Sequence, residues 1–145
     1  MPGYAWDESA DAVEKITAAR LNDQNVRVAS GSLVAGIQHA KIFSWQNDVV
    51  SGDILVWLIL ISITTPATPA AKINAGQAAT EIESDDMIDG GAINAAGTIN
   101  SIINAGTNGK GAQYVADDEW VTGFEDNSAA STDLVGKYYI FYTKV

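Results

Sequence analysis

The side chains able to do chemistry in this sequence are few in kind. Its densest run of ligand-type groups is Glu81, Glu83, Asp85, Asp86 and Asp89, carboxylates that could offer oxygens to calcium. Their spacing lacks the D-x-D-x-D-G-x5-E pattern of an EF-hand. A solvated acidic loop is therefore the expectation, with Asp85, Asp86 and Asp89 the positions where a Ca2+ ion would be sought. His39, the single histidine, could act as a general base beside an aspartate. No serine sits in a Gly-x-Ser-x-Gly turn to serve as its nucleophile, so a structural histidine is expected and catalysis is not. Eighteen acids contain carboxylate pairs by chance, and no spacing singles one out as a glycosidase pair. Gly90-Gly91 and Gly109-x-Gly111 lack the strand-then-helix setting of a phosphate loop and read as turns. Of the four tryptophans, which could line a sugar-binding groove, Trp57 is expected in the core because of the strand it occupies.

Composition narrows the classes further. The chain of 145 residues is long enough for one domain with a core of its own. With no cysteine, disulfides, thiolate metal sites and thiol nucleophiles are excluded, and one histidine excludes a multi-histidine metal site within a chain. The formal net charge of −10 is spread along the sequence, which implies a solvated acidic surface. Eight scattered Lys and Arg residues do not make a phosphate-binding patch, so nucleic-acid binding is not expected. The first eight residues have neither the basic nor the apolar region of a secretory signal, which suggests a protein kept inside the cell unless it leaves within a particle.

The elements that position these groups are organised around one apolar run, Ile54 to Ile63. Its ten residues are too few for a membrane span, which needs ~20. Its β-branched and aromatic content predicts a central strand, apolar on both faces and covered on both. Before it, residues 1–7 read as an extended arm carrying Tyr4 and Trp6. Ala10, Val13, Ile16, Thr17 and Leu21 recur at helical spacing and predict a short helix ending at Asn22-Asp23, with Asp7 or Ser9 as its cap. Its narrow stripe suits a position on the sheet, on a partner or across a symmetry axis. Val26 and Val28 alternate with Arg27, Ser30-Gly31-Ser32 reads as a turn, and Leu33 to Ile42 as a strand of mixed character reaching Trp45. Ala71, Ile73 and Ala75 predict another strand. The acidic loop is expected to end at Asp89-Gly90-Gly91, and Ala95 to Ile103 to form a helical turn or a loop tucked under the sheet. Thr107 to Gly111 reads as a tight turn, Glu119 to Phe124 and Tyr138 to Val145 as closing strands. Many short strands with Gly- and Asn-rich turns predict an all-β, jelly-roll-like β-sandwich over residues 24–145, with residues 1–23 as arm and helix.

Over roughly residues 44–145 the sequence resembles a known group. The segments carrying it are Ser44-Trp45-Gln46-Asn47, the central strand, Thr64-Thr65-Pro66-Ala67, Ile73-Asn74-Ala75-Gly76, Asp86-Met87-Ile88-Asp89-Gly90-Gly91, Ala105 to Lys110, and Gly136 to Ile140. Together they resemble small β-sandwich structural proteins of tailed bacteriophages, head decoration (cement) proteins and related virion proteins. The resemblance implies a non-enzymatic protein that binds the major capsid protein on the outside of an icosahedral head, often as a homotrimer, with no nucleic acid, membrane or cofactor. Its location would be the capsid surface of the virion, after synthesis in the host cytoplasm. On that reading the contact residues are Tyr4, Trp6, Val13, Ile16, Leu21, His39 and Trp45. A Tyr4/Trp6 arm that instead folds back on its own domain is an equal expectation. The alternative function is a virion-attached adhesin, or a tail or baseplate subunit, binding a host-surface glycan.

Overall fold

The computed structural model describes residues 25–48 and 52–145. The expected arm and helix, with Tyr4, Trp6, Val13, Ile16 and Leu21, lie outside the described residues. Among the described residues nine strands are formed: β1 (Arg27–Ser32), β2 (Lys41–Gln46), β3 (Ile54–Thr65), β4 (Lys72–Ala78), β5 (Ile88–Ala92), β6 (Gly97–Asn100), β7 (Gln113–Val115), β8 (Trp120–Glu125) and β9 (Val135–Lys144). Among the described residues there is no helix.

The strands form two sheets, antiparallel throughout. One has the order β1-β9-β3-β6, with β7 also pairing β3; the other has the order β2-β8-β4-β5. The shared edge of β3 is explained by its length: its first residues pair β7 through Ile54↔Val115, and its last pair β6 through Ile61↔Ile99. The sheets enclose one core. β3 contributes Ile54, Val56, Ile59, Ile61 and Ile63, and β9 contributes Tyr138, Ile140 and Tyr142. Facing them are Ile42 and Phe43 of β2, Ile73 and Ala75 of β4 and Val121 of β8. Each fully buried isoleucine stabilises the fold by roughly 1.5–3 kcal/mol. Aromatic rings bridge the layers: Phe43 stacks on Tyr138 at 4.4 Å and 17°, and Trp45 meets Tyr142 at 5.2 Å.

The central strand is formed where the sequence puts it, but its faces differ from expectation. A β-bulge falls between Val56 and Leu58, where Val56 pairs Tyr142 and Leu58 pairs Phe141. The extra residue resets the alternation, so burial runs Ile54, Val56, then Ile59, Ile61, Ile63. Trp57 is the residue left over. It is 49% exposed rather than in the core, and its indole N–H donates to Thr143 Oγ1 at 3.0 Å.

Four other expectations are corrected. Ser30-Gly31-Ser32 does not turn the chain but completes β1, and a Cβ on Gly31 would lie 2.7 Å from the Tyr138 ring. The glycine there makes room for an aromatic. Residues 33–40 are a loop, not a strand, turning at His39 with φ of 62°. Asp89-Gly90-Gly91 lies inside β5, and Ile102 and Ile103, expected under the sheet, are 73% and 80% exposed. They stand on a turn after β6 that Asn100 holds from within: its Oδ1 accepts both of their amide N–H groups at 3.0 Å.

Candidate functional site

The acidic residues that opened the chemical question lie between β4 and β5, and residues 81–86 run across the outer face of the four-stranded sheet as a strap. Glu81 accepts hydrogen bonds from the Lys41 ammonium and from Ser44 Oγ. Thr122 Oγ1 donates to the Ile82 carbonyl at 2.6 Å, and Asn74 Nδ2 to Glu83 Oε1 at 2.8 Å. Asp86 Oδ1 accepts the Gln77 amide at 2.9 Å. The strap lies close against β4 because Gly76 has no side chain; a Cβ there would meet Ser84 Oγ at 2.7 Å. His39 joins the same face, its Nε2 3.4 Å from Glu83 Oε2.

The calcium candidates are engaged separately. Asp85 Oδ2 accepts from Asn108 Nδ2 at 2.8 Å. Asp89 Oδ2 accepts the amides of Thr107 and Asn108, both at 3.0 Å, and the Asp86 carbonyl accepts the Lys110 amide at 2.7 Å. These carboxylates fasten the strap and β5 to the turn at 105–110, where Gly106 takes a φ of 62°. Among the described residues no group of three or more His, Asp or Glu side chains is arranged to hold a metal ion.

Electrostatics follow the same contacts. The Lys41 ammonium, then the Ser44 hydroxyl, hold the Glu81 carboxyl below its ordinary 4.5. At the other end of the sandwich the Tyr114 hydroxyl, then the Asp117 amide, hold Asp53 below 3.8, and the same bond raises the Tyr114 phenol. A carboxyl lowered on folding stabilises the fold above its unfolded pKa, and that contribution is lost as pH falls through the folded value. Acidification below 4.5 is therefore expected to loosen the strap. Thermal melts at pH 7 and pH 3.5 should show a larger drop for the native chain than for Glu81→Gln; an equal drop would mean the strap gains nothing from the ion pair.

Two buried polar groups were not legible as functional or structural anchors. Glu125 is fully buried at the end of β8, where its Oε1 accepts the Ala129 amide at 3.0 Å and its Oε2 the His39 amide. Asn47, also fully buried, donates from Nδ2 to the carbonyls of Gly52, Val115 and Ala116 at 2.9, 3.2 and 3.0 Å. The signal for Glu125 was its parity with Val121 and Gly123 on one face of a strand; for Asn47 there was only a turn-type residue. Of the sequence-selected contact residues within the described chain, His39 is exposed beside the strap, whereas Trp45 is half-buried and turned to the core. An open groove of about 890 Å³ runs past Ala35, Pro66, Asn94 and Asp133, and its carboxylate is already bonded to Thr68 Oγ1 at 2.5 Å.

No protein-family model, curated protein or solved structure matches this chain.

Proposed function

We propose that this chain is a non-enzymatic virion structural protein of jelly-roll fold, a capsid decoration protein that binds the outer surface of an icosahedral phage head and stabilises its major capsid protein lattice. The observation that carries the reading is the pairing order. With β7 set aside, the first strand pairs the last (β1–β9), the second the next to last (β2–β8), then β3–β6 and β4–β5. That is one long antiparallel ribbon closed at β4–β5. Wrapping it into two facing layers adds two further ladders, β3–β9 and β4–β8, and both are present. A double-sheet jelly roll has this organisation, and viral capsid domains are among its uses.

Three further observations support the reading. The segments carrying the phage-protein resemblance fall on β2, β3, β4, β5 and β9 and on the turn at 105–110 that Asp89 holds. The acidic side chains of the strap are committed to backbone amides and neighbouring side chains, a use that fits scaffolding. The exposed Ile102-Ile103 pair, held on a braced turn, joins residues 1–23 and the exposed His39 as a lattice contact of the kind that anchors interfaces, with Trp45, turned to the core, set aside. A protein that binds only the assembled lattice stabilises it by mass action even when each contact is modest.

The test is co-sedimentation of the purified protein with heads stripped of it, with light scattering of the free protein. Saturable binding at a fixed ratio to the major capsid protein, with a trimeric free form, is expected. Ile102→Ser/Ile103→Ser is expected to weaken that binding without lowering the melting temperature. Binding to host cells or cell-wall polysaccharide and none to heads would replace this function with the adhesin.

A further inference from the structure

We infer that the free edge of β1 takes an extended segment of a second protein as an added strand, with one of its apolar side chains seated in the seam between β1 and β2. Hydrogen-bond parity identifies the edge. In an antiparallel ladder, alternate residues turn both backbone groups toward the partner strand, and the residues between turn them away. β1 pairs β9 over its whole length without a register shift, and Leu33, next in line, donates its amide to the Gly136 carbonyl at 2.9 Å. Ala29 and Gly31 therefore face β9, while Val28, Ser30 and Ser32 point their N–H and C=O groups outward. Val34 continues the outward row, and its amide donates to the Ile42 carbonyl of β2 at 2.9 Å. Val28, Ser30 and Ser32 are exposed and have no backbone partner on that side among the described residues. The other edges among the described residues are closed. On β2 the register shifts after Lys41, and the carbonyls of Ile42 and Gln46 are taken by Val34 and Asp48. On β5 the Asp89 amide bonds the Asn104 carbonyl, and Gly90 bends the strand with a φ of 72°. On β6 both backbone groups of Asn100 are bonded by Asn104. β7 is only 3 residues long. β1 carries neither proline nor lysine, the usual guards of an exposed edge.

The row of groups specifies the occupant. Unspent backbone donors and acceptors at two-residue spacing match another extended backbone, and pockets for its alternate side chains supply selectivity. Such a pocket lies beside the row. Ser32, Val34, Ile42, Phe43 and Tyr138 line a cavity of about 270 Å³ at the seam. Small-ligand sites run ~300–1,000 Å³, so this one is of side-chain size. Ile42, Phe43 and Tyr138 give it apolar walls, which select an aliphatic or aromatic side chain. A second copy of this chain fits the edge less well. With the other edges closed it could offer only its own β1, whose core-side residues Ala29 and Gly31 are too small to fill the pocket. The 6 residues of β1, at ~3.3 Å each and with sheets ~10 Å apart, make an edge of roughly 200 Å². A stable dimer needs ~800 Å² from each partner. An added strand needs no such area, because its affinity comes from main-chain bonds. The partner is therefore an extended segment of another polypeptide, matching β1 in length, apolar at alternate positions and without proline where it bonds. This inference holds or fails independently of head binding.

The probes are capped synthetic peptides, Ser-Thr-X-Thr-X-Thr-Ser with X leucine, isoleucine or phenylalanine, and the same peptides N-methylated on one or the other set of alternate amides. In the free full chain, amide hydrogen exchange is expected to be fast at Val28, Ser30 and Ser32 and slow at Ala29 and Gly31. At least one unmethylated peptide is expected to bind saturably and to slow the three outward amides about tenfold. Methylating one set of peptide amides, and not the other, is expected to weaken binding about tenfold, because only one set faces the edge. Ser30→Pro, which an edge strand accepts where its N–H faces solvent, is expected to weaken binding to a similar degree while keeping a cooperative melt. Slow exchange of the outward amides in the dilute free chain, no binding by any peptide, no difference between the two methylated sets, or unchanged binding in Ser30→Pro each overturns the inference. Protection that grows with protein concentration and needs no peptide would overturn it too, and would assign the edge to a second copy.

Discussion

Glu125→Ala is expected to lower the unfolding free energy by about 2 kcal/mol, because two part-buried amides lose the fully buried carboxylate that accepts them. The carboxylate accepts the amides of His39 and Ala129, from loops on either side of β8, and is itself fully buried. Its own amide donates to the Ala40 carbonyl at 2.9 Å, so β8 ends by clamping the 33–40 loop twice and the segment after β8 once. Around it Gly36 and Ser131 exchange two more bonds: the Gly36 amide donates to Ser131 Oγ and the Ser131 amide to the Gly36 carbonyl, both at 3.0 Å. His39 holds a φ of 62°, a conformation of an L-residue that costs about 1–2 kcal/mol and persists because the carboxylate fixes its amide. Urea unfolding should place Glu125→Gln between the native chain and Glu125→Ala. The amide side chain keeps one acceptor and turns its NH2 toward the other donor. Hydrogen exchange should show lost protection at the His39 and Ala129 amides first. An alanine variant within about 0.5 kcal/mol of the native chain would mean that water replaces the carboxylate without penalty.

What was legible in the sequence follows from what local sequence can encode. The strand Ile54–Thr65 announced itself because a continuous apolar run has few other uses, and Ala71, Ile73 and Ala75 because their alternation survives into β4. The bulge at Trp57 was not legible: it is a mismatch between β3 and β9, set by the distant partners Phe141 and Tyr142. With it went the position of Trp57. The 33–40 segment alternates like a strand, yet its backbone bonds go singly to the ends of different strands, Leu33 to Gly136 of β9 and Ala40 to Glu125 of β8, and make no ladder. The acidic run was legible as a loop, but its role as a strap depends on Lys41, Ser44, Asn74 and Thr122 arriving from three other strands. Ile102 and Ile103 looked like core by composition, and the turn braced by Asn100 turns them outward instead. At Ile102-Ile103 a local brace decided the face; in the other cases a long-range partner did.

Gly123→Ala carries the other large expected effect, and two opposing terms decide its sign. Alanine in a strand interior is ordinarily better than glycine by about 0.5–1 kcal/mol, because the unfolded chain loses freedom it no longer has to give up on folding. At Gly123 a Cβ would point into the Phe43 ring, 2.5 Å from Cδ1 and 2.9 Å from Cζ, inside any real carbon contact. Phe43 cannot withdraw, since its other face lies on Tyr138 at 4.4 Å, and Tyr138 in turn fills the space that Gly31 leaves open. Overpacking of this kind costs about 1–3 kcal/mol or more, so the clash wins and net destabilisation of about 2 kcal/mol is expected. The double variant Gly123→Ala/Phe43→Leu separates the clash from any other cause. Leucine frees the space the new methyl needs, so the pair should be less destabilised than the sum of the two single variants by about 1 kcal/mol or more. Strict additivity would place the loss elsewhere, in the backbone of β8. Coupling would identify Gly31, Tyr138, Phe43 and Gly123 as one stack through the sandwich, a ring pair seated at each end on a glycine.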